Sequence, residues 1–263
     1  MQYESLDDRT RLALYNLFCN LYYRLFEDMY SLQEKEQFWN AVFSKVYTQT
    51  LDYGKNYKTE SCLNIIKTTI LSDDYDSVLS LVEFTFYIFE QLDRFEQLDV
   101  EELLNQLLKE EFVGYRYVGK MIVPISNEEE LKSIDDVLSA PYDNATGHLK
   151  KAIQLFSDRK NPDYENSIKE SITAVESMCI LIAGEKGTLS QCLSKLKEKG
   201  LNIHPAMEKA LKHLYGYTSD ATGIRHAGDI GGPSSTFSDA KFMLVTCSAF
   251  INYLREVAAE QEW

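Results

Sequence analysis

The sequence of 263 residues lacks the features of a membrane or secreted protein. No apolar run approaches the roughly 18–20 residues that span a bilayer. The first ten residues, MQYESLDDRT, are acidic and polar, unlike a secretory signal. The hydrophobic fraction of 44% and the charged fraction of 26% are those of a soluble globular chain. We therefore expect a cytoplasmic protein with no membrane contact.

Common signatures of catalytic and metal sites are also missing. The five cysteines are odd in number and scattered, and no two have metal-ligand spacing. They are predicted to be buried, reduced thiols, and no metal site is expected. The glycines of AGEKGTLS lack the spacing of a P-loop, and no serine-hydrolase elbow is present. The sequence thus indicates no cofactor.

Acidic side chains are concentrated in the first part of the chain. Residues 1–140 hold 26 Asp and Glu against 13 Lys and Arg, whereas residues 141–263 hold 15 against 14. The segment APYDNATG, residues 140–147, reads as a linker at this change. We predict two domains, 1–140 and 141–263. Because the acidic first domain would repel phosphate, any RNA contact is expected in the second.

Helical periodicity dominates both parts. The first predicted helix has a buried face with Leu12, Tyr15, Cys19, Tyr22 and Phe26. Such an aromatic stripe is typical of a core, with a ligand pocket as the alternative. Residues 115–126, YRYVGKMIVPIS, alternate in polarity around Gly119-Lys120 and predict a small β-hairpin. The fold class is therefore mainly all-α, with two helical modules and one hairpin.

Caps and breakers mark the helix boundaries after the hairpin. Helix starts are predicted at Asn127, Asn161-Pro162, Thr188, Pro205 and the Thr236–Asp239 pair, and helix ends at Gly184 and Gly200. The inward face of the helix after Pro205 is predicted to hold Met207, Leu211, Leu214 and Tyr215. The five amphipathic helices of residues 141–263, joined by short loops, predict an up-and-down helical bundle.

Arg225 and His226 stand side by side in the glycine-rich stretch ATGIRHAGDIGG, between two predicted helices. The chain has only four histidines, and this is the only one beside an arginine. Histidine transfers protons near neutral pH, and the planar donors of arginine suit a phosphate. These two residues are the predicted catalytic pair. Alternatively, Arg225 caps the preceding helix and His226 packs on the loop.

Three polar residues lie close enough in sequence to support this pair, namely Ser219, Asp220 and Asp229. An aspartate that accepts a hydrogen bond from His226 would hold the imidazole in one tautomer.

Glu176 interrupts an otherwise apolar segment. If it is buried it needs a partner, for which Arg225 is the candidate; otherwise it faces solvent. Four lysines are candidates for a basic, RNA-binding flank: Lys195, Lys199, Lys209 and Lys212. A solvated surface is the alternative.

Four segments resemble, in this order, the HEPN-like module at the C-terminus of AbiJ-type abortive-infection proteins. They are DYENSIKESITAVESMC, TLSQCLSKL, HPAMEKALKHLYGYTSDATGIRHAG and DAKFMLVTCSAFINYL, and the similarity covers roughly residues 143–258. The first part, with EEFVGYRYVGKMIVPISNEEE, is similar to an AbiJ N-terminal domain. The resemblance implies a bundle that dimerises and acts as a metal-independent endoribonuclease toxin in phage defence. Arg225 matches the family's arginine, and His226 the polar residue beside it.

The sequence departs from the family pattern at one point. The family has a second histidine four to six residues further on, whereas the corresponding positions here are Ile230, Gly231 and Gly232. One His226 per chain cannot easily be both acid and base, so cleavage would require a homodimer. The acidic domain would then sense a phage-derived trigger or bind a regulatory protein. The alternatives are a catalytically degenerate module for dimerisation or for RNA or nucleotide binding, and an antitoxin or scaffold.

Overall fold

The computed structural model describes residues 1–26, 32–47, 59–91, 98–141, 143–219 and 235–261. These residues form eleven α-helices and one two-stranded hairpin. They divide into two compact units, unit 1 at Met1–Ser126 and unit 2 at Asn127–Trp263. The predicted fold class, mainly all-α, is confirmed.

Unit 1 consists of five helices followed by the hairpin. The elements are α1 Asp8–Phe26, α2 Leu32–Lys45, α3 Thr59–Ser72, α4 Tyr75–Glu90, α5 Val100–Glu110, β1 Arg116–Val118 and β2 Met121–Val123. Aromatic rings fill the core: Tyr22 lies 5.1 Å from Trp39 and 6.0 Å from Phe18 between ring centroids. The indole of Trp39 donates a hydrogen bond to the Tyr22 hydroxyl at 3.2 Å. Aromatic side chains thus form core in unit 1, as predicted.

The face that α1 buries differs from the predicted one. Leu14, Phe18, Leu21 and Tyr22 are buried, whereas Leu12 is 51% exposed. Apolar residues occupy most of the circumference of this helix, so intervals of three and four fit more than one face. Tyr22 belongs to both faces, and Tyr15 and Cys19 of the predicted face are half-buried against the core. The prediction was wrong for Leu12, and the Phe26 side chain lies outside the described residues.

The hairpin forms where it was predicted, with Arg116 opposite Val123 and Val118 opposite Met121. Gly119 and Lys120 both have positive φ, 56° and 70°, as a tight two-residue hairpin turn requires. Asn105 fixes β1 to α5, since its amide accepts from the N–H of Tyr117 at 2.7 Å and donates to its carbonyl at 2.6 Å. Side chains thus satisfy backbone groups that a two-stranded sheet leaves unpaired.

Unit 2 is a helical bundle in which one central helix, α8 (Tyr164–Ala183), packs against most of the others. The elements are α6 Glu128–Leu138, α7 Asn144–Ser157, α8 Tyr164–Ala183, α9 Leu189–Glu198, α10 Pro205–Ser219 and α11 Phe237–Glu260. Helix α8 packs against α7, α9, α10 and α11. Small residues allow close approach: the buried Ser167 hydroxyl donates to the Ala152 carbonyl of α7 at 2.8 Å.

Most of the predicted caps are confirmed. Asn127 accepts from the Glu130 N–H at 2.9 Å, Thr188 and Thr236 each form a capping box, and Gly184 ends α8 with φ 76°. The prediction for the start of α8 was wrong, because Asp163 is the N-cap there. The Asn161 N–H instead donates to the Asp158 carboxylate at 2.9 Å, so residues up to Pro162 belong to the turn after α7.

Helix α6 belongs to unit 2 although it precedes residue 140, where the charge pattern places the boundary. Asn252 of α11 donates to the Ser133 carbonyl at 2.9 Å, and Arg255 donates to the Val137 carbonyl at 3.1 Å. These contacts tie α6 to α11. The compact units therefore divide between Ser126 and Asn127, before α6 rather than after it.

Helix α11 is, within the described residues, the one helix long and apolar enough to cross a membrane by length and composition. It packs against α6, α7 and α8, with Met243, Cys247 and Ile251 among its buried residues. Buried packing of this kind also occurs in the core helix of a soluble bundle.

Candidate active site

The predicted catalytic pair belongs to a segment outside the described residues. Asp220, Arg225, His226 and Asp229 all lie between residues 220 and 234. Ser219 is the last residue of α10, and its side chain also lies outside the description. The structure describes the two helices that this segment connects, α10 before it and α11 after it.

Ionic contacts attach the first half of α10 to α9. Glu208 accepts hydrogen bonds from Lys212 at 2.6 Å and from Lys197 of α9 at 2.9 Å. The bonds from Lys212 and Lys197 lower the pKa of Glu208 to about 2. Of the residues predicted to face inward on α10, Leu211, Leu214 and Tyr215 are half-buried, but Met207 is exposed. Helix α10 therefore packs with only part of its predicted apolar face.

The start of α11 is held by a cap and by aromatic packing. The Thr236 N–H donates to the Asp239 carboxylate at 2.9 Å, and the Asp239 N–H donates to the Thr236 hydroxyl at 3.2 Å. The next residue, Phe237, stacks on Phe156 of α7 with ring centroids 5.0 Å apart and meets Tyr164 of α8 at 6.1 Å. The segment with Arg225 and His226 thus leads directly into a fixed helix end.

Glu176 lies half-buried on α8. Burial is the main cause that raises the pKa of Cys192 on α9, and the charge of Glu176 adds to it. Burial likewise raises the pKa of Cys179 to about 12, again with a contribution from Glu176. The Glu176 carboxylate is therefore close enough to both thiols to act on them electrostatically. The predicted partner, Arg225, lies outside the described residues.

Three of the four lysines proposed for RNA binding have intramolecular acceptors. Lys195 pairs with Glu185, and Lys212 pairs with Glu208. Lys199 donates to the carbonyls of Ile182 at 3.1 Å and Ala183 at 2.9 Å, which satisfies the C-terminal end of α8. Lys209 is exposed on α10. Acceptors within unit 2 thus hold three of the four ammonium groups.

A histidine–carboxylate pair that the sequence did not reveal joins α7 to α8. His148 Nδ1 lies 2.7 Å from a Glu170 oxygen, and Lys151 pairs with the other oxygen. Burial raises the pKa of Glu170, but hydrogen bonds from Lys151 and His148 outweigh it and lower the pKa. His148 and Lys151 share a helix face by their spacing, yet their acidic partner on α8 cannot be read from that spacing.

The cysteines of the described ranges are buried or half-buried. Four thiols are buried as predicted, Cys62, Cys179, Cys192 and Cys247, and Cys19 is half-buried. Burial raises the pKa of Cys247 to about 12, which keeps this thiol protonated and poorly nucleophilic. Among the described residues, no three His, Cys, Asp or Glu side chains come together as metal ligands.

Comparison with known proteins identifies the first part of the chain. The family model for AbiJ N-terminal domain 4 matches residues 1–140. No curated protein and no solved structure matches the chain.

Proposed function

Because the chain belongs to the AbiJ family of abortive-infection defence proteins, through N-terminal domain 4, we propose that its C-terminal part is a HEPN-like, metal-independent endoribonuclease. One structural observation supports this most. The segment with Arg225 and His226 connects two helices, α10 and α11, that both pack against the central α8 of a helical bundle. Residues 1–140 and 141–263 would be the sensing and the toxic domains.

The proposed chemistry needs no metal. A base removes the 2′-hydroxyl proton of RNA, the 2′-oxygen attacks the adjacent phosphorus, and the 5′-oxygen leaves with a proton from an acid. His226 would carry out one proton transfer, which is worth about 10²–10⁴ in rate. The guanidinium of Arg225 would stabilise the charge on the phosphorane, which adds about 10²–10³. The products are a 2′,3′-cyclic phosphate and a 5′-hydroxyl.

The second proton transfer would come from His226 of a second copy. Helix α11 offers a surface for such a dimer, because it is apolar beyond the face that unit 2 buries. Phe242 is 56% exposed, and Val245 and Ala249 follow it at helical spacing on the same side. Only about 8 Å of helix axis, at 1.5 Å per residue, separates Phe242 from the start of α11. A twofold contact at Phe242 would therefore keep the start of α11 in both copies, to which the active segments are joined, close to the twofold axis.

Other contacts follow from the same proposal. Lys209, exposed on α10, would approach an RNA phosphate directly. Lys195 and Lys212 would first have to release their ion pairs, and Lys199 its hydrogen bonds to the end of α8. Ser219, Asp220, Asp229 and Glu176 would orient the catalytic pair. The acidic N-terminal domain would bind a phage-derived trigger or a regulatory protein. The protein would act in the cytoplasm, without a cofactor.

The second candidate function is a catalytically degenerate module that dimerises or binds RNA or a nucleotide. The missing histidine favours it, since Ile230, Gly231 and Gly232 occupy the positions where the family has one. Arg225 would then bind a phosphate group of the RNA or nucleotide, and no RNA would be cleaved.

Expression in bacteria challenged with phage distinguishes the two functions. The Arg225→Ala and His226→Ala variants are compared with His213→Ala, a control that removes an exposed histidine on α10. For a nuclease, both site variants lose growth arrest and phage protection while their circular dichroism spectra and oligomeric state match wild type. If the His226→Ala variant protects as well as wild type, His226 is not catalytic and the binding module is favoured.

A further inference from the structure

An exposed phenylalanine in unit 1 adopts a backbone conformation that usually belongs to glycine. Phe112 has φ 55° and follows the last turn of α5. Its N–H donates to the Lys109 carbonyl at 3.1 Å, and the Val113 N–H donates to the Leu108 carbonyl at 2.8 Å. This is the left-handed position after a helix, where a Cβ is disfavoured. Since its side chain is 71% exposed, Phe112 gains little from burial in return.

Residues 1–7, which precede α1 and which we call the N-terminal arm, fix this conformation. The Gln2 N–H donates to the Phe112 carbonyl at 2.8 Å, and the Gly114 N–H donates to the Gln2 carbonyl at 2.8 Å. The Gln2 side chain donates to Thr10 and to the Glu111 carbonyl, each at 2.8 Å. A Cβ on Gly114 would lie 2.2 Å from the Tyr3 ring, so only glycine permits this approach. The strained residue is thus held in one place by its neighbours.

Three exposed apolar residues lie on these two paired segments. The pairing of Gln2 with Val113 brings the backbone of residues 1–3 alongside residues 112–114, and Met1, Tyr3 and Phe112 are 69%, 49% and 71% exposed. We call these three residues the Phe112 patch. Neither burial nor backbone preference favours an aromatic residue at Phe112, and exposed apolar residues grouped on neighbouring segments are typical of an interaction surface.

The charges around the patch indicate what that molecule is. Exposed carboxylates flank it on the arm, on the start of α1 and at the end of α5, namely Glu4, Asp7, Asp8 and Glu110. Three cations lie on the same segments: Arg9 is paired with Glu111 at 2.9 Å, Arg11 donates to the Leu6 and Ile70 carbonyls, each at 2.9 Å, and Lys109 is exposed on α5. Residues 1–126 hold 21 acidic against 12 basic side chains. Nucleic acid and a second copy of this acidic unit are repelled, whereas a basic polypeptide is attracted.

We propose that the Phe112 patch is the docking surface for a basic protein segment, which inserts an apolar side chain against Phe112 and Tyr3 between flanking lysines or arginines. This inference rests on the proposed binding of a regulatory protein by the N-terminal domain. It does not depend on RNA cleavage.

The test selects binders from a random peptide display library on the full-length protein. The affinity of selected peptides is then measured by fluorescence anisotropy for wild type, for Phe112→Gly and for a control, Tyr23→Ala. The control removes an exposed aromatic side chain of α1 that is not part of the patch. Peptides with an aromatic or aliphatic centre and basic flanks are expected. They should bind Phe112→Gly about tenfold or more weakly, as for the loss of an aromatic anchor, and should bind Tyr23→Ala unchanged.

Thermal denaturation completes the test, because glycine relieves the strain at position 112. The melting temperature of Phe112→Gly should stay level or rise. A fall in melting temperature would show that Phe112 is there for stability and would overturn the proposal. Selected peptides that are acidic, that bind Phe112→Gly as well as wild type, or that do not emerge at all would overturn it too. RNA cleavage by Phe112→Gly, measured in parallel, separates this failure from failure of the nuclease.

Discussion

Replacing Asn105 with alanine should destabilise unit 1 through the hairpin. The Asn105 amide makes two hydrogen bonds, at 2.6 and 2.7 Å, to the backbone carbonyl and N–H of Tyr117, a fully buried residue. Each buried backbone group left unpaired costs roughly 1–3 kcal/mol. Because Asn105 is itself half-buried, water can replace part of the loss. We expect a decrease in the free energy of unfolding of about 2–4 kcal/mol.

Trp39 makes this measurable for unit 1 alone. The chain has two tryptophans, and in a Trp263→Phe background the buried Trp39 is the fluorophore that follows urea unfolding of this unit. The control is Gln106→Ala, since Gln106 is exposed and bonds only to Glu110 on the same helix among the contacts described, at 2.5 Å. It should change stability by no more than about 0.5 kcal/mol. A loss below about 1 kcal/mol for Asn105→Ala, or equal losses for both variants, would refute this account of the hairpin.

Three further predictions concern unit 2. Gly184→Ala should cost about 1–2 kcal/mol because Gly184 has φ 76°, whereas Gly216→Ala, in the interior of α10 with open space at its Cβ, should stabilise by about 0.5–1 kcal/mol; thermal melts with the opposite order would contradict the backbone argument. The pKa of Glu170 is below its ordinary value of 4.5, so the stability that this carboxylate contributes is present above pH 4.5 and is lost as the pH falls through its folded-state pKa. The stability difference between wild type and Glu170→Gln should therefore shrink on acidification, and a difference that grows would be incompatible with the lowered pKa. Phe242→Glu should convert the proposed dimer into a monomer in light scattering, while Leu181→Glu, at another exposed apolar position on α8, should not; a dimer in both variants would exclude α11 as the interface.

Local signals in the sequence predict the elements that depend on neighbouring residues. Gly119-Lys120 predicts the hairpin because few dipeptides accept two positive φ angles. Thr188, Thr236 and Gly184 predict helix ends because each satisfies backbone groups within one turn. At the start of α8, two nearby residues could both cap the helix, and the turn at Asp158 selects Asp163 over Asn161.

Features that depend on packing between distant segments cannot be read from spacing. Apolar residues occupy most of the circumference of α1, so the helices packed against α1 decide which of its faces is buried. Helix α6 joins unit 2 through Asn252 and Arg255, more than 100 residues further along the chain. Lys199 caps α8, and Glu170 pairs with His148, through tertiary contacts that no helical period encodes. For the candidate site, the sequence supplies Arg225 and His226, while the structure describes only the helices beside them.

Cleavage of RNA by the purified protein in excess EDTA tests the central proposal most directly. Wild type, His226→Ala and the control His213→Ala are incubated with total RNA and with tRNA, and the ends of the products are analysed. We expect cleavage by wild type and His213→Ala that leaves 2′,3′-cyclic phosphate ends, and none by His226→Ala. Cleavage that EDTA abolishes, or that persists in His226→Ala, would contradict metal-independent catalysis by His226. A folded wild-type dimer that cleaves neither RNA would favour the binding module.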